Sequence, residues 1–168
     1  MSISMYQASV PNFIRQLQAL SAILDKAIDH ASSQQIDPAT LTGSRLAADM
    51  LPFTNQIYIA TDTAKGCAAR LAGVEPPVFP DTETTLPELK ARIAKTVDFL
   101  GSFRAEQFEG SEQRTVVLKM RSGELSFTGQ DYLQGFALPN FYFHVVTAYD
   151  LLRHQGVAIG KTDYLGRR

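Results

Sequence analysis

Two histidines, a tyrosine and an aspartate lie among apolar residues in the stretch Pro139 to Gly156, PNFYFHVVTAYDLLRHQG. The apolar spacing of this stretch predicts one helix. Imidazole and carboxylate groups can bind a metal ion or transfer protons, and burying them is costly unless they have partners. The sequence therefore predicts that any functional site lies on this helix.

The two histidines do not fit a shared metal ion. On a regular helix His154 lies about 80° around the axis from His144 and roughly 15 Å along it, which is too far for one coordination sphere. His144 shares a face with Ala148 and Leu151, so it is expected to point inward, either as a hydrogen-bonded core residue or as a ligand. His154 falls in the last turn, where a cation suits the helix dipole.

A second predicted helix supplies the other polar candidates. Gln56 adjoins its apolar stripe and is expected to reach the interior, whereas Asp62 is expected to face solvent or pair with Lys65. Asp49 is a candidate cap for this helix. Cys67 lies on the apolar stripe with no basic neighbour in sequence, which favours a core residue over a reactive thiol.

The bulk composition limits the function classes. The chain has 168 residues, 45% of them hydrophobic and 20% charged, with a net charge of −1, which fits one domain over residues 1–168. The chain has no run of basic residues of the kind that binds nucleic acid or a membrane surface, and it has no apolar run long enough to span a bilayer. A single cysteine excludes an intrachain disulfide, so a cytoplasmic protein is expected.

Helical periodicity dominates the first hundred residues. The first helix is expected to begin at Ser9 and Pro11, or alternatively at Ser4 with a kink at Pro11, and to end near Ser32–Gln34. Two more helices are expected from about Leu51 to Leu71 and from Thr85 to about Phe103. The latter opens with a capping box, in which Thr85 and Glu88 bond each other's backbone amides.

The periodicity changes before the last helix. Arg114–Met120 and Glu124–Thr128, separated by Arg121-Ser122-Gly123, predict a β-hairpin. Thr128–Leu138 is expected to be a loop with one helical turn, and Ile36–Gly43 a loop or short turn. The last helix should end near Gln155, with Gly156 following it. The predicted fold is all-α, a four-helix bundle with a short β-hairpin inserted before the last helix.

Three segments carry a family resemblance: SMYQASVPNFIRQL, LAADMLPFTNQIYIATD and LPNFYFHVVTAYDLLRHQGVAIGKTDYLG. Together they resemble an uncharacterised bacterial domain-of-unknown-function family within the DinB/YfiT-like superfamily. The resemblance implies an up-down-down-up four-helix bundle that is commonly a homodimer. In better-studied members three histidines hold a divalent metal, one from the second helix and two, four residues apart, from the fourth. Some of those members are thiol-dependent transferases.

The residues at the implied metal positions depart from this pattern. Gln56 stands where a histidine is expected on the second helix, Ala148 follows His144 by four residues, and Asp150 precedes His154 by four. We therefore expect a small-molecule-binding or interaction protein without a cofactor, with a pocket lined by Gln56, His144 and Tyr149. The alternative is a thiol transferase-like enzyme that uses nickel, zinc or iron, with His144 and Asp150 or water as ligands.

Overall fold

Four long helices, three short ones and one hairpin make up the computed structural model, which describes residues 3–120 and 123–166. In chain order they are α1 (Met5–Gln34), α2 (Pro38–Thr42), α3 (Phe53–Ala72), α4 (Leu86–Gly101), β1 (Thr115–Met120), β2 (Gly123–Thr128), α5 (Gly129–Asp131), α6 (Leu138–His154) and α7 (Lys161–Tyr164). Two 3-10 turns, Ala105–Phe108 and Ser111–Gln113, follow α4, and a π-helical segment, Tyr132–Ala137, joins α5 to α6.

Helix α1 begins one turn earlier than Ser9. The Ser4 hydroxyl accepts from the Gln7 amide, and the Gln7 side chain accepts from the Ser4 amide, so a capping box starts the helix. Pro11 lies inside it, and the Asn12 side chain donates to the Gln7 carbonyl at 3.2 Å. The start at Ser9 is therefore wrong, and the alternative start at Ser4 is confirmed.

The starts of α3 and α4 differ in how well the sequence indicated them. The capping box of Thr85 and Glu88 is present, and the Thr84 and Thr85 amides lower the pKa of the Glu88 carboxyl. Helix α3 begins at Phe53 with Pro52 as its N-cap and no side-chain cap. The expected cap at Asp49 is wrong, because that exposed residue lies in the loop before Pro52.

The four long helices run up-down-down-up. An ion pair joins Asp25 to Lys90, and the rings of Tyr6 and Phe108 meet at 5.4 Å. Residues early in α1 therefore lie near the far end of α4, and the two helices are antiparallel.

The connector between α3 and α4 sets the remaining directions. The Tyr58 hydroxyl donates to the Glu83 carbonyl, so the proline-rich stretch returns along α3 and α4 starts beside its first half. Helices α3 and α4 are therefore parallel. Asn140 donates to Thr63 at 2.8 Å, while His144 pairs with Gln56, so α6 runs antiparallel to α3.

The hairpin pairs Val116 with Phe127 and Leu118 with Leu125 in an antiparallel register. The expected hairpin is confirmed, although β2 already includes Gly123; Arg121 and Ser122 lie outside the described residues. The loop expected over 128–138 is wrong, because the chain is helical from Gly129 onward. Gly129 and Gly135 disfavour a helix in this segment, and the burial of Tyr132, Leu133 and Ala137 offsets that cost.

Helix α6 otherwise follows the sequence prediction. It ends at His154, with Gln155 as C-cap and Gly156 at φ +89° in the left-handed region that terminates helices. Within the described residues, no helix has both the length and the apolar character needed to cross a bilayer.

Candidate functional site

His144 and Gln56 form a buried polar pair between α6 and α3. The distance from His144 Nδ1 to Gln56 Oε1 is 2.7 Å. Gln56 is 1% exposed and His144 is 8% exposed, so both are largely removed from water. The structure thus brings together two of the three residues expected to line a pocket.

The amide of Gln56 determines which nitrogen of His144 carries the proton. Gln56 Nε2 donates to the Leu51 carbonyl at 2.9 Å, so the amide oxygen, Oε1, must face the imidazole. An amide oxygen only accepts, so Nδ1 of His144 is the protonated, donating nitrogen. The neutral ring then has an unprotonated Nε2 with a free lone pair.

Burial keeps this imidazole neutral. Desolvation lowers the pKa of His144 below its ordinary value of 6.5, because the charged form loses its hydration. Nε2 makes no hydrogen bond within the described part of the chain. Near neutral pH, His144 therefore presents a hydrogen-bond acceptor, and one that could also accept a proton.

The α6 residues beside His144 are uncharged. The ring of Phe143 packs edge-on at 5.1 Å, and the Thr147 hydroxyl donates back to the Phe143 carbonyl at 2.7 Å. Ala148, one turn along, is fully buried. An apolar group bearing one hydrogen-bond donor matches these surroundings better than a charged group.

Tyr149 and Asp150 lie at a different place from His144. With Val146, Lys161 and Tyr164 they line a cleft of about 230 Å³ between α6 and α7. The rings of Tyr149 and Tyr164 meet edge-on at 6.1 Å. On a regular helix Asp150 is rotated by about 120° from His144, so the two side chains point in different directions.

The residues at the implied metal site do not fit a divalent ion. Both ends of the Gln56 amide are already hydrogen-bonded, to the Leu51 carbonyl and to His144, and the Ala148 side chain has no atom that could ligate a metal. Only His144 Nε2 remains, whereas protein metal sites use at least three protein ligands as a rule. Within residues 3–120 and 123–166 no three His, Cys, Asp or Glu side chains are grouped so that they could hold a metal ion.

The other histidines and the other candidates from the sequence, Cys67 and Asp62, lie in positions that fit structural roles. His154 is exposed at the end of α6. A third histidine, His30 in α1, is half-buried, and its Nε2 has no hydrogen bond within the described residues. Cys67 is fully buried in the core, and burial raises the pKa of its thiol. Asp62 pairs with Lys65 at 2.8 Å, as expected.

Asp62 also belongs to an ion cluster that the sequence reasoning missed. The buried Arg92 guanidinium lies 3.1 Å from Asp62, 2.9 Å from Asp81 and 3.1 Å from Glu83. It also donates to Thr61 Oγ1 at 2.8 Å. The sequence feature that could have indicated this cluster is the charged Arg92 at an inward-facing position of α4. Its guanidinium N–H groups bind residues of the connector between α3 and α4.

Comparisons with known families and solved structures bear on the family and the fold of this chain. A family model described as a domain of unknown function (DUF1993) matches residues 5–165. A crystal structure of a DinB family member protein from Shewanella denitrificans is 40% identical, with a TM-score of 0.90 over 98% of this chain and 93% of that one. No curated protein matches the chain. The resemblance and the bundle fold are confirmed, and the chain belongs to the DUF1993 family of DinB-like helical bundles.

Proposed function

We propose that this protein binds a small, mostly apolar molecule that donates one hydrogen bond to His144, and that it does not use the superfamily's three-histidine metal chemistry. The single observation that carries this proposal is the hydrogen-bond chain from the Leu51 carbonyl through the Gln56 amide to His144 Nδ1, which selects one tautomer of His144. Gln56 holds Nδ1–H, burial keeps the ring neutral, and Nε2 is left as an acceptor.

The surroundings of the pair support a binding role. A phenol-like or amide-like group offers the donor that Nε2 lacks, and its apolar body suits the uncharged side chains beside the imidazole. No group that could serve as a nucleophile is hydrogen-bonded to His144 within the described residues. Binding therefore needs fewer assumptions than catalysis.

The experiment is nuclear magnetic resonance on protein with ¹⁵N-labelled histidine, titrated with phenol. We expect one ring to show a protonated Nδ1 and an unprotonated Nε2, and phenol to shift the Nε2 resonance of that ring. His144→Asn should abolish the shift, and the matched variant His154→Asn, at an exposed site on the same helix, should leave it intact.

Elemental analysis of protein purified without a histidine tag tests the metal alternative. Near-stoichiometric nickel, zinc or iron that disappears in His144→Ala would overturn the proposal in favour of a metal-dependent enzyme. A ring that is protonated on Nε2 would also overturn it, because the acceptor would then be absent.

A further inference from the structure

A cavity of about 630 Å³ lies at the end of the bundle where α1 begins. Its walls come from the first turns of α1, from residues 105–112 after α4, and from residues 130–134 before α6. Its volume is in the range typical of small-molecule sites. It is separate from the His144 pair, which does not line it.

The floor of this cavity is apolar and its rim is acidic. Met5, Ala8, Phe108 and Leu133 supply the apolar surface, and Phe108 and Leu133 are almost fully buried. Glu106, Glu109 and Glu112 are the charged lining residues, and no lysine or arginine lines the cavity. Within the described chain none of these glutamates forms an ion pair.

Further polar groups in the walls suit a hydrogen-bond donor. The side chains of Gln130 and Gln134 line the cavity and have no hydrogen bond within the described chain. An anion is disfavoured, because the capping box already uses the Ser4 and Gln7 amides at the start of α1.

The spread of the carboxylates favours an extended cation over a metal ion. A divalent ion needs oxygens converging within about 2.6 Å of one point. The three glutamates do not form such a group, since no metal-holding cluster exists among residues 3–120 and 123–166. Ammonium groups separated by methylenes can reach separate carboxylates while the methylenes cover the apolar floor.

We propose that this cavity binds an aliphatic di- or polyamine. The glutamates accept charge-assisted hydrogen bonds from its ammonium groups, and its carbon chain lies on the half-buried side chains of Met5 and Ala8. The π-helical segment forms one wall, and π-helical turns occur often at functional sites because they displace side chains from the regular helical register.

Calorimetric titration of the whole protein with 1,4-diaminobutane and with spermidine tests this proposal. We expect saturable binding to wild type that weakens about tenfold or more when Glu106, Glu109 and Glu112 are all changed to Gln. A charge-matched triple variant, Asp29→Asn, Asp98→Asn and Glu124→Gln, should bind within about twofold of wild type.

A volume test separates the cavity from general attraction to an acidic surface. Ala8→Leu narrows the cavity without changing the charge, so it should also weaken diamine binding, while circular dichroism verifies that the variant is folded. Equal weakening in the two triple variants would overturn the proposal, as would undetectable binding of both amines to folded wild type. Unchanged binding in Ala8→Leu would place the amine outside the cavity and overturn it as well.

Discussion

The orientation of the Gln56 amide determines which nitrogen of His144 is protonated, because both ends of the amide are hydrogen-bonded. Its nitrogen donates to Leu51 and its oxygen accepts from His144, so the imidazole has one tautomer available in its neutral form. A histidine at position 56 would have offered a metal ligand; glutamine offers a hydrogen-bond partner instead. Gln56 is thus one of three positions, with Ala148 and Asp150, at which this chain departs from the metal ligands that the resemblance implies.

The depressed pKa of His144 makes stability depend on pH in a definite direction. The unfolded chain binds a proton near the ordinary value of 6.5, and the folded protein binds it only at lower pH. The contribution of His144 is therefore fully present above about pH 6.5 and is lost as pH falls through its folded pKa. We expect the free energy of unfolding, measured in urea, to fall between about pH 8 and about pH 5.

Comparison with His144→Leu isolates this effect from the other titrating groups. The variant should show a smaller fall over the same pH range, because it lacks the buried imidazole. The carboxyls of Glu88 and Asp163, whose pKa values are lowered, add their own losses at more acidic pH in both proteins. Identical pH profiles would contradict the buried, neutral state of His144.

At the scale of elements, the sequence predicted best where a local signal and tertiary burial agree. The capping box at Thr85 and the apolar stripe after it placed α4 correctly, whereas Pro11 suggested a helix start inside α1. The segment 129–137 was missed because its glycines indicate a loop, and only packing among Phe127, Tyr132 and Phe136 makes it helical.

The candidate site was predictable only in part, because some of its contacts depend on tertiary packing and not on the local sequence pattern. Helical periodicity showed that His144 and Gln56 face inward, and the structure pairs them. It could not show that Leu51 fixes the amide, because that bond depends on the loop before α3. The glutamates of the large cavity gave no sequence signal, since their common wall exists only once α1 packs beside residues 105–112.

Gly129 marks a close approach between two backbone segments. A Cβ at this position would lie 1.9 Å from the Ser111 carbonyl oxygen, which no rotamer can relieve. We expect Gly129→Ala to destabilise the protein by roughly 2 kcal/mol or more, since overpacking forces the backbone to shift. Thermal unfolding measures this change.

Gly101, at the end of α4, provides the matched control. A Cβ there meets nothing within 4 Å, so Gly101→Ala should be neutral or slightly stabilising because alanine favours the helix. Equal effects of the two substitutions would contradict the packing of residues 111 and 129.

Arg92 connects α4 to the proline-rich connector and to α3. Its side chain is fully buried, whereas the carboxylates of Asp62 and Asp81 are about half exposed. We expect Arg92→Leu to lower the free energy of unfolding by about 3 kcal/mol, because it also removes bonds to the Pro80 carbonyl and Thr61. Urea unfolding provides the measurement.

A single carboxylate of this cluster should matter much less. Asp81→Asn is expected to change stability by less than about 1 kcal/mol, because exposed ion pairs are weak. A neutral or stabilising Arg92→Leu would show that the cluster does not hold the connector.

At the scale of the whole molecule, the two proposed ligand regions lie on different parts of the bundle. The His144 pair sits between α3 and α6, and the acidic cavity is formed by elements that converge at the start of α1. Tyr149 and Asp150 face a third place, beside α7. Each region can therefore be altered without touching the others, which makes the two binding proposals independently testable.

The outer face of α6 supports the homodimer that the family resemblance implies. Phe143 is 56% exposed and Val146, one turn away, is 39% exposed, whereas Phe141 is fully buried and Phe136 half-buried. Among the phenylalanines of the described residues Phe143 alone is exposed, and exposed apolar patches commonly mark contact surfaces. We propose that this face meets the same face of a second copy, as closed two-fold dimers do.

Light scattering coupled to gel filtration should give the mass of a dimer for wild type and of a monomer for Phe143→Asp. A charge at the centre of a two-fold contact is opposed by its own copy, so the effect is doubled at each interface. Val78→Asp, at the 89% exposed connector valine, is the matched control and should remain dimeric. A monomeric wild type would refute the dimer, and a dimeric Phe143→Asp would move the contact to another face of the bundle.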